Sequence, residues 1–259
     1  MTGLDSLAED ERLILKTAQE IETMRHSNQI VAEILNEIQR AAKPGVTTRE
    51  LDGLAESLLS RHRARSAFKG YNGYPATLCT SVNEEVVHGI PSERVLKEGD
   101  ILSLDFGAIY EGYYGDAALT LPIGPISEEA ETLLRVTEEA LKLAIEQARP
   151  GNRLFDISAA IQRHAESHGF SVVRDFVGHG IGTRMHERPQ VPNFGVPGRG
   201  IRLQPGMTLA IEPMINAGGY EVRILADGWT AVTKDGSLSA HFEHTVAVTE
   251  NGPVILSHL

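Results

Sequence analysis

The chain has 259 residues, 41% of them hydrophobic, enough for a sizeable buried core in one large domain or two closely fused halves. Its 24 Lys and Arg against 35 Asp and Glu leave a net charge of -11, which argues against a stable nucleic-acid partner. One cysteine, Cys79, excludes an internal disulfide and a cysteine-built zinc site, so any metal must be held by His, Asp and Glu.

The amino terminus, MTGLDSLAEDER, is acidic where a secretory signal is basic and then apolar. No run of about 18 uncharged apolar residues occurs, so the expected setting is the cytoplasm, without a membrane partner. Residues 1–17 read as an N-terminal extension. From Ala18 to Ala42, Ile21, Met24, Ile30, Ile34, Leu35 and Ile38 recur at helical spacing, and the pattern stops before Lys43-Pro44-Gly45. Thr47 or Thr48 caps a second helix that fades near Arg61; Glu50 stands at the capping-box position for Thr47. The cluster Arg61, Arg63, Arg65 and Lys69 reads as a solvated helix end, with a ribosome contact as the alternative. A turn-rich loop over Gly70 to Pro75, a strand over Thr77 to Val82 and a connecting piece from Asn83 to Pro91 follow.

Ile101 to Leu121 reads as a β-hairpin in which each arm sets one aspartate opposite its apolar face. A two-residue loop at Glu111-Gly112 puts Asp116 opposite Gly107 and diagonal to Asp105. A four-residue loop puts the aspartates face to face, and either register leaves both carboxylates on one face. Taken alone, the pair reads as a solvated hairpin face. Two like charges that close repel unless cations or donors share the site.

Beyond the hairpin, helices are expected from Ser127 to Ala148 and from Leu154 to His168, separated by Arg149-Pro150-Gly151. The pattern has restarted: Pro150 follows Pro44 by 106 residues, and Glu212 follows Asp105 by 107. This suggests a duplicated helix, helix, strand, strand unit, with halves at about 18–122 and 127–257 of one domain spanning 1–259. The sheets would face a shared centre with the helices outside. The match is incomplete, since His88 and His179 are only 91 residues apart. A loop is expected over Glu187 to Gly200, and strands over Met207 to Ile215, Trp229 to Thr233 and Ser239 to Val248.

Other motifs fall away on their own chemistry. His164 and His168 have the i, i+4 spacing of a zinc pair, but Ala165 stands where the zinc-protease motif needs Glu. Gly178, Gly180 and Gly182 lack the last glycine of a dinucleotide loop, because position 183 is Thr183. What remains is Asp105, Asp116, His179, Glu212 and Glu243. Glu212 interrupts the apolar run Leu209-Ala-Ile-Glu-Pro-Met-Ile215, and an ionised carboxylate is expensive to bury without partners. A hard to borderline cation pair would neutralise the set.

The segments SVNEEVVHGIP, LDFGAIYEGYYGDAA, GHGIGTRMHERP, AIEPMI and HFEHTVAVT, spread over nearly the whole chain, resemble those of type I methionine aminopeptidases. That resemblance implies the pita-bread fold, an α+β architecture of two pseudo-symmetric halves with a central antiparallel sheet and outer helices. It implies two divalent ions, Mn, Fe, Co or Zn, bridged by Asp116 and Glu243, with His179 and Glu212 completing one coordination sphere and Asp105 the other. His88 and His186 match the family's substrate-contacting histidines, and Tyr71, Tyr74, Cys79, Met185 and Trp229, with Phe68 nearby, fall on the methionine pocket. The implied activity is removal of the N-terminal methionine of nascent proteins and peptides, preferentially when the second residue is small, by metal-activated hydroxide attack on the first peptide bond. His186 would polarise the carbonyl, Glu212 relay the proton and His88 steady the tetrahedral intermediate. The implied form is a monomer that works near the ribosomal exit tunnel.

Overall fold

A computed structural model describes residues 13–258, so the acidic segment at residues 1–12 lies outside the described residues. Four α-helices occur among them: α1 Ala18–Ala41, α2 Thr48–Arg61, α3 Glu128–Gln147 and α4 Leu154–Ser167. Each starts where local chemistry satisfies its free amides. Thr47, rather than Thr48, caps α2 in a full capping box with Glu50, and Thr17 does the same for α1 with Glu20. The Ser127 side chain accepts from Ala130 N to open α3. Residues 13–17, read as part of an extension, belong to the fold: Lys16 is buried, and its N–H donates to Gly206 O at 2.7 Å.

The strands are β1 Arg65–Ser66, β2 Leu78–Val82, β3 Glu85–Val87, β4 Ile101–Tyr110, β5 Tyr113–Pro122, β6 Ser171–Val172, β7 Gly178–Gly180, β8 Glu187–Val191, β9 Thr208–Ile211, β10 Met214–Asn216, β11 Val222–Ile224, β12 Ala231–Thr233, β13 Ser239–His241, β14 Glu243–Thr249 and β15 Gly252–Ile255. Nine of them form an antiparallel sheet along the path β1-β4-β5-β14-β9-β7-β8, with β2 on β4 and β15 on β14. Two smaller sheets, β13-β10-β6 and β11-β12-β3, flank it. Two apolar cores bind helices to sheet. One packs Ile30, Ile34 and Ile38 of α1 and Leu51 and Leu58 of α2 against Leu102, Leu104 and Phe106; the other packs α3 and α4 against Leu209, Ile211 and Val246. This is the pita-bread arrangement of a curled antiparallel sheet with helices outside.

The β4–β5 hairpin closes through the two-residue loop. Glu111 and Gly112 have φ of 49° and 86°, as a type I′ turn requires, and Gly107 pairs with Asp116. Three expectations change. Residues 187–191 form strand β8 rather than the start of a loop, because their backbone pairs with β7 although their side chains do not alternate in hydrophobicity. The expected strand over Met207 to Ile215 divides into β9 and β10 at Glu212-Pro213, and that over Ser239 to Val248 divides into β13 and β14 at Phe242. At this point both chains leave the large sheet together: Ile211 pairs with His244 inside it, and Met214 pairs with His241 in the small one.

Landmarks at the repeat spacing share backbone geometry. Gly45 and Gly151 have φ of 94° and 95°, and Gly99 and Gly206 have 93° and 92°. The isolated bridges Thr47–Val95 and Arg153–Arg202 occupy matching places before α2 and α4. We propose on these grounds that the two halves descend from one duplicated unit.

Candidate metal centre and its apolar slot

All thirteen side chains singled out from the sequence line one cavity of about 230 Å³. The metal-type residues form one wall. Asp105 stands on β4 in register with Ala118, Asp116 on β5 in register with Gly107, and Glu243 opens β14 opposite Ala118. One ligand atom from each of Asp116, His179 and Glu243 falls within 4.8 Å of the other two, and all three residues are buried. His179 Nε2 lies 3.5 Å from Glu212 Oε1 and 3.8 Å from Asp116 Oδ2. Its Nδ1 is 2.9 Å from Gly180 O. A carbonyl only accepts, so Nδ1 carries the hydrogen and Nε2 presents its lone pair to the carboxylates.

The local sequence explains how so polar a set is held. Gly178 and Gly180 flank His179 because a Cβ at either would lie 2.4 Å from Ala210 O or 2.3 Å from Arg188 O. Gly115 lets β5 press against α1, where Asn28 Oδ1 accepts from Asp116 N at 3.3 Å. Thr245 Oγ1 donates to Asp116 O at 2.8 Å, locking β5 to β14.

Burial raises the proton affinity of every carboxyl here. Asp105 is pushed up to about 7 by burial. Asp116, Glu212 and Glu243 are pushed well above the carboxylate range by burial first and by repulsion from their neighbours second, Asp105 among them each time. Burial likewise lowers the histidines: His179 to about 3 and His88 to about 4, with the nearby His186 adding to both. The imidazoles are therefore neutral at pH 7. Asp105 Oδ1, Asp116 Oδ1 and Glu243 Oε1 are buried without a hydrogen-bond donor. Orphaned, mutually repelling carboxylate oxygens around a neutral imidazole lone pair are the donor set that a divalent cation satisfies, so the residues fit a metal.

Much of the remaining lining is apolar. Phe68, Tyr74, Cys79 and Met185 belong to one buried cluster against which Tyr71 and Trp229 pack. Cys79 sits in register with Asp105, and burial drives its thiol well above the usual range, so it stays protonated. Tyr74 donates to Gly89 O at 3.0 Å, and its ring meets Trp229 edge-on at 5.1 Å. A 3-10 turn, Tyr71–Gly73, places Tyr71, whose hydroxyl is 2.6 Å from His186 Nδ1. His88 adopts φ of 61°, an uncommon conformation for a residue with a side chain, and its neighbour Gly89 is locked to β2: Thr80 N donates to Gly89 O at 2.8 Å.

Sequence reasoning missed several wall residues. Phe176, Val177, Val87, Asn72 and Met214 also line the cavity, and Phe176 meets the His88 ring edge-on at 5.4 Å. His241 lies behind Glu212, its Nε2 3.8 Å from Glu212 Oε2 and without a hydrogen-bond partner. The basic cluster Arg61, Arg63, Arg65 and Lys69 takes no part in this cavity; Lys69 pairs with Glu56 on α2.

The comparisons with known proteins agree with this geometry. The pattern of metallopeptidase family M24 matches residues 22–250. A methionine aminopeptidase of Clostridium acetobutylicum is 58% identical over 95% of this chain and 98% of its own, and methionine aminopeptidase 1 of Bacillus subtilis is 53% identical over 95% and 100%. The crystal structure of a methionine aminopeptidase from Thermotoga maritima, 50% identical, superposes with a TM-score of 0.94 over 96% of this chain and 100% of that one. The chain therefore belongs to metallopeptidase family M24 and, within it, to the type I methionine aminopeptidases.

Proposed function

We propose that the protein removes the initiator methionine from nascent proteins and peptides. The observation that carries this reading is the single cavity in which five metal-type side chains face a slot of aromatic and sulfur side chains. A thioether is unbranched and polarizable, and Met185, Cys79, Tyr74 and Trp229 offer it sulfur and ring contacts. Asp105, Asp116, His179, Glu212 and Glu243 would hold two divalent ions drawn from Mn, Fe, Co and Zn. When bound, the ions supply Lewis acidity and bring the pKa of a water near neutrality.

The chain's own residues do the rest. With the Tyr71 hydroxyl donating to His186 Nδ1, Nε2 carries the hydrogen and donates to the carbonyl oxygen of the first peptide bond, where negative charge develops. Glu212, whose side chain is 14% exposed, takes the proton of the attacking water and delivers it to the leaving amine. His88, held by the locked turn at Gly89 and by Phe176 and Trp229, steadies the tetrahedral carbon's oxygen. Preference for a small second residue would follow from lack of room beyond the methionine slot. No helix among the described residues is long and apolar enough to cross a membrane. Action as a monomer in the cytoplasm close to the ribosome completes the reading.

The test is cleavage of Met-Ala-Ser by protein stripped with a chelator and then resupplied with each candidate metal. Activity is lost on stripping and returns with metal. Turnover that survives exhaustive chelation contradicts the reading.

A further inference from the structure

The loop joining β7 to β8, residues 181–186, carries both Met185 and His186 to the cavity. Its backbone is tied at Ile181, whose N–H donates to Thr208 O at 3.1 Å, and at Gly182, whose carbonyl accepts from Tyr114 N at 2.8 Å. The far side is held by a side chain. Glu187 Oε1 accepts from Arg184 N at 3.2 Å, closing the loop on itself, while Glu187 Oε2 pairs with Lys16 Nζ. The Lys16 and Glu187 side chains are each only 2% exposed, although 171 residues separate them. Gly182 completes the clamp: a Cβ there would lie 2.2 Å from Lys16 Cε and 2.6 Å from Glu187 Oε1.

Burying a carboxylate this far from water is costly without a partnering cation. Lys16 supplies it from the segment just before α1, where its own backbone N–H is fixed to Gly206 O. Neither residue lines the cavity. We infer that Lys16 and Glu187 are positioning residues for the reaction: their buried ion pair sets the 181–187 turn and so the places of Met185 and His186. The inference rests on the peptidase reading above.

The test compares metal-loaded, full-length Lys16→Met, Glu187→Gln and the double variant, each alone and combined with His186→Ala. Lys16→Met by itself strands a buried charge and risks misfolding. The double variant does not, because the pair is then neutral and the amide oxygen of glutamine still accepts from Arg184 N. In the double variant kcat/KM for Met-Ala-Ser falls on the order of 100-fold, the scale expected when a reacting group shifts by about 1 Å. Metal content equals that of the wild type, and amide hydrogen exchange quickens over 181–187 but not in the β4–β5 hairpin. In the His186→Ala background the same two substitutions cost less, because the part of their effect that acts through the imidazole is gone and only the part through Met185 remains. A merely structural role costs the same in both backgrounds.

Wild-type turnover in the double variant, full additivity with His186→Ala, or unchanged exchange over 181–187 overturns the inference. If the unaltered protein fails to cleave the peptide, the peptidase reading falls instead, and exchange over 181–187 still decides whether the pair sets the turn.

Discussion

Asp105 and Asp116 stand on an unbroken hairpin of two ten-residue strands, whereas Glu212 and Glu243 stand where strands break. In the first half the alternation of β4 and β5 runs through the aspartates without interruption, and the register is fixed by the Glu111-Gly112 turn. In the second half β9 ends at Ile211 and β10 resumes at Met214, while β13 ends at His241 and β14 starts at Glu243. Phe242 N donates to Pro213 O at 3.3 Å across the break. A hairpin sets two carboxylates a fixed distance apart, but it cannot wrap a cation from the other side. The paired break turns the second two carboxylates toward the first. Each half supplies half of the charge, by regularity in one and by a controlled irregularity in the other.

The most severe way to break the comparison is to remove from each half the carboxylate proposed to be shared between the ions. Asp116→Asn and Glu243→Gln should behave alike, each losing bound metal and lowering kcat/KM on the order of 1,000-fold. Metal content by elemental analysis, measured beside peptide cleavage, checks this. Full occupancy in either variant would show that the two halves do not share the ions.

A pH series sharpens it, since the four carboxyls are crowded whichever half they come from. A carboxyl whose folded pKa lies above its unfolded value makes the folded protein bind more protons than the unfolded chain in the window between the two. Its stabilising contribution is then complete below the unfolded value and lost as pH rises through the folded one. For Asp105 that window runs from 3.8 to about 7. In chelator, Tm should therefore fall as pH climbs through this range, and excess divalent metal should flatten the slope. A metal-independent profile would mean that cations do not offset the burial of these carboxyls.

The mildest perturbation acts on the regular half alone. Gly115→Ala would put a Cβ 2.8 Å from the backbone of Ser27 and Asn28, so α1 or β5 must give way. The expected cost is about 1–3 kcal/mol in urea unfolding, an overpacking penalty. An unchanged midpoint would show that the contact between hairpin and helix has slack.

The same contrast decides what the sequence disclosed. The hairpin, its aspartates and the capped second helix were readable because period-2 alternation and the Thr47–Glu50 box are local signals. The loop length stayed open between two and four residues because Glu111-Gly112 lacks the Asn or Asp of the strongest hairpin turns. Glu212 was readable as an oddity, a charge inside an apolar run beside a proline. The break it marks was not, because the division of β9 from β10 depends on a partner strand dividing at Phe242, about thirty residues on, and long-range pairing leaves no local trace. β8 was missed for a similar reason: Glu187, Arg188, Pro189 and Gln190 are poor strand formers, and only pairing to the His179 strand makes them one. His241 and Phe176 escaped notice because an isolated histidine or phenylalanine has many ordinary explanations until a cavity gathers it in.

The most direct test of the central claim is a crystal grown with manganese, with data collected at the manganese absorption edge to locate the ions. The account predicts two peaks between β4–β5 and the β9–β10 and β13–β14 breaks, contacted by Asp105, Asp116, His179, Glu212 and Glu243. Peaks elsewhere, or none within coordination distance of those five side chains, would contradict it.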